Sequence, residues 1–189
     1  LLNANGLPFI LVDRHFDMAG VMSITLDHQK GGYLATRHLL DLGHRTIACI
    51  TGPTNLKDAE ARLSGYKLAL QEFGIEPHSE LILEGNYDLN SGYQMTQALI
   101  ARQTAFSALF ACNDLMAYGA YKVACEHGLK DKCRFVGVDG LAGKDGGLEL
   151  VRQGVLEASM LYPTKGDEVI ALAMKILRHE PFARDNYLS

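Results

Sequence analysis

Apolar residues along this chain gather in short continuous runs more than in strict alternation. Pro8 to Val12, Thr46 to Ile50, Leu81 to Leu83, Ser107 to Cys112, Arg134 to Val138 and Ala158 to Leu161 each read as a strand. Unbroken runs of this length are the pattern of strands covered on both faces. Between them the apolar spacing lengthens to three or four. Leu63, Tyr66, Leu70 and Phe73 predict a helix over 60–73, stopped by Gly74, and Met116, Gly119, Ala120 and Val123 predict one over 114–127, stopped by Gly128. Ala35, Leu39 and Leu42 before Gly43, and Val169, Leu172, Ala173 and Ile176 before Pro181, complete the series.

Strands that alternate with helices run parallel, because each crossover returns the chain to the same edge, and such units are right-handed. The expected fold class is α/β with an open, doubly wound parallel sheet. The repeat is expected to be architectural, not a repeat of sequence. With 189 residues, 48% apolar and 21% charged, the chain can bury one substantial core or two small ones.

Charge and cysteine content exclude more than they assign. A formal net charge of -4 provides no cationic footprint for nucleic acid, which is bound by clustered Lys and Arg. Uninterrupted apolar runs fall short of the roughly 20 residues that span a bilayer. Cys49, Cys112, Cys125 and Cys133 lack C-x-x-C spacing, and three lie in or beside apolar runs, where thiols serve as small buried hydrophobes. The seven His form no ligand spacing, so no metal is expected, and no cofactor is called for. His15 and His28 read as surface or rim residues, and His44, after Gly43, as a cation suited to a helix C-terminus. G-x-G-x-x-G, a Walker lysine loop, G-x-S-x-G and H-E-x-x-H are all missing from the sequence.

In open parallel sheets, ligands bind beyond the carboxyl ends of the strands. Asp13 and Arg14 follow the first run, Thr51, Gly52 and Pro53 the second, Tyr87 and Asp88 the third, Asn113 and Asp114 the fourth, Asp139 and Gly140 the fifth, Tyr162 and Pro163 the sixth. Carboxylates, an amide, a guanidinium and phenols would therefore meet on one edge. A polyhydroxylated ligand requires that set, since planar polar groups bridge vicinal hydroxyls and aromatic faces cover the C–H surface of a sugar ring. Each residue also has a plainer role open to it. Asn113 or Asp114 could simply cap a helix, Asp139 could belong to an ordinary turn, and Arg62 could be a solvated helix residue.

Several segments resemble the lactose-repressor family of bacterial transcription regulators. They are Leu42-Gly43-His44-Arg45-Thr46-Ile47-Ala48, Ile50-Thr51-Gly52-Pro53, Arg62-Leu63-Ser64-Gly65-Tyr66, Ser91-Gly92-Tyr93, Phe110-Ala111-Cys112-Asn113-Asp114-Leu115-Met116-Ala117-Tyr118-Gly119-Ala120 and Val136-Gly137-Val138-Asp139. The related periplasmic sugar-binding proteins share several of them. The resemblance implies two Rossmann-like lobes closing over a sugar effector, with crossovers near Leu26 and Asp27 and near Tyr162 and Pro163. Residues 27–162 would form the C-terminal lobe. Residues 1–26 and 163–189 would supply part of an N-terminal lobe that is incomplete in this chain. The implied ligand contacts are Asp13, Arg14, Arg62, Tyr87, Asn113 and Asp139, with Tyr162 standing where an amide is common.

The same resemblance implies a cytoplasmic homodimer that meets DNA only through an upstream helix-turn-helix, with no catalytic residues and no membrane partner. The stretch from Gly147 to Ser159 looks more like transport and sensor receptors, which keeps open a periplasmic sugar receptor as the alternative. A small sugar-directed enzyme using Asp13, Asp114 and Asp139 as acid and base is the rival from another class.

Overall fold

The computed structural model describes residues 9–13, 22–162, 166–181 and 185–188. The chain divides into two compact units, Leu1–Asp27 with Pro163–Ser189, and His28–Tyr162. The first carries a three-stranded parallel sheet in the order β1 (Ile10–Val12), β2 (Met22–Leu26), β8 (Asp185–Leu188), together with α6 (Gly166–Leu177). Leu172 of α6 is buried, whereas Ile170, Met174 and Leu177 and Val12 of β1 stay exposed.

The His28–Tyr162 unit holds α1 (His28–Asp41), β3 (Ile47–Thr51), α2 (Lys57–Glu72), β4 (Ile82–Glu84), α3 (Leu89–Ala101), β5 (Ala108–Ala111), α4 (Asp114–Glu126), β6 (Arg134–Asp139), α5 (Gly147–Arg152) and β7 (Ala158–Leu161). Its five strands are all parallel, in the order β4-β3-β5-β6-β7. Every residue of β3 and β5 is buried, as their unbroken apolar runs require when helices cover both faces. The chain leaves β3 outward to β4, then returns past β3 to β5. Right-handed crossovers therefore set α2 on one face and α3, α4 and α5 on the other, and α1 packs with α2.

The expected strands are present within a residue or two of their predicted ends. β2, β8, α3 and α5 had no counterpart in the reading of the apolar pattern. For α3 the reason is physical. Its buried positions are Gly92, Thr96 and Leu99, so two of the three residues on its inward face are not apolar, and the helical period is hidden. A side chain at Gly92 would run into the backbone of Met116, and one at Gly119 of α4 into the backbone of Leu89.

The crossing of α1 with α2 is built the same way. A Cβ on Gly32 would strike the Arg62 carbonyl, and one on Gly65 the Gln29 carbonyl. Thr36 bonds back to the Gly32 carbonyl at 2.8 Å and Thr96 to the Gly92 carbonyl at 2.9 Å. Tyr33 donates its hydroxyl to Glu72 at 2.7 Å and Tyr93 to Glu126 at 2.6 Å. Gly32-Tyr33-Leu34-Ala35-Thr36 and Gly92-Tyr93-Gln94-Met95-Thr96 thus share Gly-Tyr-x-x-Thr at the two helix crossings.

Two histidine readings also change. His44 Nδ1 lies 3.0 Å from Ser107 Oγ, and burial, with help from nearby Arg134, lowers its pKa. It is not the helix-end cation expected. His28 is only 8% exposed, not a rim residue, while His15 lies outside the described residues. Cys49, Cys112 and Cys133 are buried free thiols and Cys125 is exposed.

Candidate functional site

The direction of chain progression reverses between β3 and β5, and a crevice opens beyond the carboxyl ends of strands at such a point. Arg62 projects from α2 into the structure there and is 4% exposed. Its Nη1 donates to the Cys112 carbonyl at 2.8 Å, at the end of β5, and its Nη2 contacts His28 Nδ1 at 3.2 Å. The same Nη2 lies 4.0 Å from Asp139 Oδ1, at the end of β6. The guanidinium carbon sits 5.8 Å from the centre of the Tyr87 ring and 5.2 Å from that of Tyr162. Burial opposes the positive charge, but Tyr162, Tyr87 and Cys112 outweigh it, and the net shift of the Arg62 pKa is upward. Its Nε is buried, with no hydrogen-bond partner among the described residues. An orphaned donor of that kind costs about 1–3 kcal/mol until an acceptor arrives, and a ligand oxygen would supply one.

The backbone around this cation is held in conformations that side chains rarely adopt. Tyr87 has φ 62° and Asp139 φ 119°, and Asp13, in the other unit, has φ 56°. Two other non-glycine residues share the region among those described, Gln103 and His179, and both follow helix ends, where a left-handed cap is ordinary. Strain of about 1–3 kcal/mol per residue persists only where neighbours over-determine it. Tyr87 is over-determined. Asn113 Nδ2 donates to its carbonyl at 2.8 Å, its hydroxyl donates to Asp58 at 3.1 Å, and its ring occupies the space a side chain on Gly52 would need.

Asn113 caps α4 as well, its Oδ1 accepting from Met116 N at 3.0 Å. Asp114 does something else. It is 4% exposed, accepts from Ser159 Oγ at 2.7 Å and from Gly140 N at 2.9 Å, and so ties the strained turn after β6 to β7. Burial pushes its pKa up to about 6, against the pull of those two donors.

That shift yields a stability prediction. The folded chain binds a proton more tightly than the unfolded one, so the contribution is fully present below the unfolded value near 3.8 and is lost as pH rises to about 6. Over that window Asp114 is expected to remove roughly 3 kcal/mol of stability. Urea unfolding across it should show this slope in the wild type. The slope should flatten in Asp114→Asn, whose amide keeps an oxygen acceptor for Gly140 N and does not ionise across the window.

One edge of the His28–Tyr162 unit thus brings together Arg62, Tyr87, Asn113, Asp139 and Tyr162. Asp13 belongs to the other unit, at the end of β1, where its N–H donates to the Ile24 carbonyl at 2.8 Å. Arg14 lies outside the described residues.

A family profile, that of periplasmic binding proteins and the sugar-binding domain of the LacI family, matches residues 1–163. The chain belongs to this family. The HTH-type transcriptional repressor PurR of Pasteurella multocida is 35% identical over 136 residues, covering 69% of this chain and 39% of that protein. The ribose operon repressor of Haemophilus influenzae is 37% identical over 127 residues, covering 67% of this chain and 38% of the repressor. Among solved structures, the fructose-binding periplasmic domain of a hybrid two-component system superposes with a TM-score of 0.87 at 30% identity, covering 100% of this chain and 63% of that one. The chain therefore has the parallel α/β fold of LacI-family sensor domains and covers only part of one. It spans about two-fifths of the length of these two curated relatives.

At this edge the sequence reading missed His28, Asp58 and Ser159, and it set Asp114 among the strand-end polar residues, as a cap or as an acid–base group. Asp114 carried a usable signal, because two adjacent polar residues at one helix start cannot both be the cap. His28 and Asp58 carried none, since their contacts depend on how closely α1 and α2 cross.

Proposed function

We propose that this chain is the effector-sensing part of a LacI-type transcription regulator and that its ligand is a monosaccharide held at the Arg62 edge of the His28–Tyr162 unit. The observation that carries the reading is a buried guanidinium between two phenol rings, with Asp139 beside it and one N–H unspent. A sugar offers the hydroxyl acceptors that such a cation requires and the C–H faces that Tyr87 and Tyr162 can cover. Tyr87, Asn113, Asp139 and Tyr162 are assigned as ligand-facing or ligand-framing residues with Arg62. Asp13 and Arg14 are retained as ligand contacts on the strength of the family resemblance.

The same proposal makes 27–162 the C-terminal lobe and 1–26 with 163–189 part of the N-terminal lobe. The division of the chain next to Asp27 and Pro163 supports it. A homodimer in the cytoplasm, DNA contact through a separate helix-turn-helix, and the absence of a catalytic role belong to the proposal as well. No helix among the described residues is long and apolar enough to cross a membrane. The likeness to a fructose-binding periplasmic domain favours one second reading, a receptor whose sugar-bound state is read by a membrane partner.

Thermal unfolding against D-ribose, D-fructose, other pentoses and hexoses, sugar phosphates and purines tests the ligand class. A ligand present at one hundred times its Kd is expected to add about 2.7 kcal/mol of stability. A response to one sugar is the expected result. A response confined to purines or phosphates, or to nothing in the panel, defeats the sugar reading.

A further inference from the structure

We infer that His28 is a positioning residue of this site, whose imidazole anchors the Arg62 guanidinium through a lone pair on Nδ1. The inference rests on the reading of the Arg62 edge as a sugar site. A guanidinium has donors only. The 3.2 Å contact between Arg62 Nη2 and His28 Nδ1 therefore needs a lone pair on Nδ1, which assigns the ring proton to Nε2.

The surroundings leave little freedom for any other arrangement. His28 is the first residue of α1. One turn on, Gly32 abuts the backbone of Arg62 itself, so close that a methyl group would not fit. The distance from α1 to Arg62 is thus fixed by backbone against backbone. The imidazole stands edge-on to Tyr162, with ring centres 5.3 Å apart and planes at 78°, and Tyr162 stacks in turn on Arg62.

Arg62 from α2, Asp139 from the end of β6, Tyr162 after β7 and Tyr87 before α3 meet in this cluster. A proton on Nδ1 would point one N–H at another and place two cations in contact. The guanidinium would then leave the Cys112 carbonyl and Asp139, the two anchors that set its direction.

Two measurements on the whole chain test this. With isotopically labelled histidine, long-range nitrogen–proton NMR correlations should show His28 as the Nε2–H tautomer near neutral pH. An Nδ1–H tautomer or a doubly protonated ring there would overturn the inference. Calorimetry with D-ribose and D-fructose should separate two variants. His28→Asn, whose Oδ1 takes the place of Nδ1 as acceptor, should bind nearly as the wild type does, and His28→Leu, which offers no acceptor, should bind weakly. Wild-type affinity in His28→Leu would sink the idea. If neither sugar binds, the sugar reading fails, and the tautomer alone decides whether His28 anchors Arg62.

Discussion

Replacing Arg62 with methionine is expected to weaken binding of the cognate sugar by about tenfold to a hundredfold, because a hydrogen bond from a charged group contributes about 1.5–3 kcal/mol. Methionine keeps much of the apolar stem but takes away the donor to the Cys112 carbonyl at 2.8 Å and the cation that lies 4.0 Å from Asp139. It also deprives Tyr87 and Tyr162 of the cation lying over both rings. Arg62→Lys should recover little of the loss. A point charge on a flexible stem cannot serve a carbonyl, an imidazole and a carboxylate in the fixed fork that a guanidinium provides. Calorimetric titration of each variant with the sugar found in the thermal panel measures the effect. Wild-type affinity in Arg62→Met would place the ligand elsewhere on the molecule.

The fold was legible where burial is written in apolar side chains. β3, β5 and β6 run through the core, so their residues had to be apolar on both faces, and the sequence states this directly. The strand ends were legible for a related reason. Polar residues that follow a buried strand immediately have one edge of the sheet to occupy, and Asn113, Asp139 and Tyr162 all stand on it. What stayed hidden was burial written in glycine and threonine. α3 shows no apolar stripe because α4 lies against it too closely for one, and the contribution of α1 to the site is hidden in the same way. Gly32 sets the helix spacing that lets His28 reach Arg62, and neither residue carries a hydrophobic or motif signal of its own.

Backbone contact between α1 and α2 therefore links packing to the site, and Gly65 is where it can be tested. In an open helix Gly→Ala gains about 1 kcal/mol from helix propensity. At Gly65 the added methyl would meet the Gln29 carbonyl and the Tyr33 amide, backbone atoms that cannot rotate aside. Overpacking of this kind costs about 1–3 kcal/mol and occasionally more, and the bulkier Gly65→Val is expected to exceed the propensity gain clearly. For a chain of this size each kcal/mol lowers Tm by about 2–4 °C, so Gly65→Val should lose on the order of 5–12 °C. Gly166→Ala, in the first turn of α6 with nothing among the described residues within 4 Å of the added atom, should instead gain up to about 1 kcal/mol from helix propensity. The two variants separate crowding from the general effect of losing a glycine. Because the crossing that Gly65→Val forces apart also holds His28 against Arg62, the variant that remains folded below its lowered Tm should bind sugar more weakly than wild type. Full affinity in a protein so destabilised would mean that the guanidinium is held without help from α1.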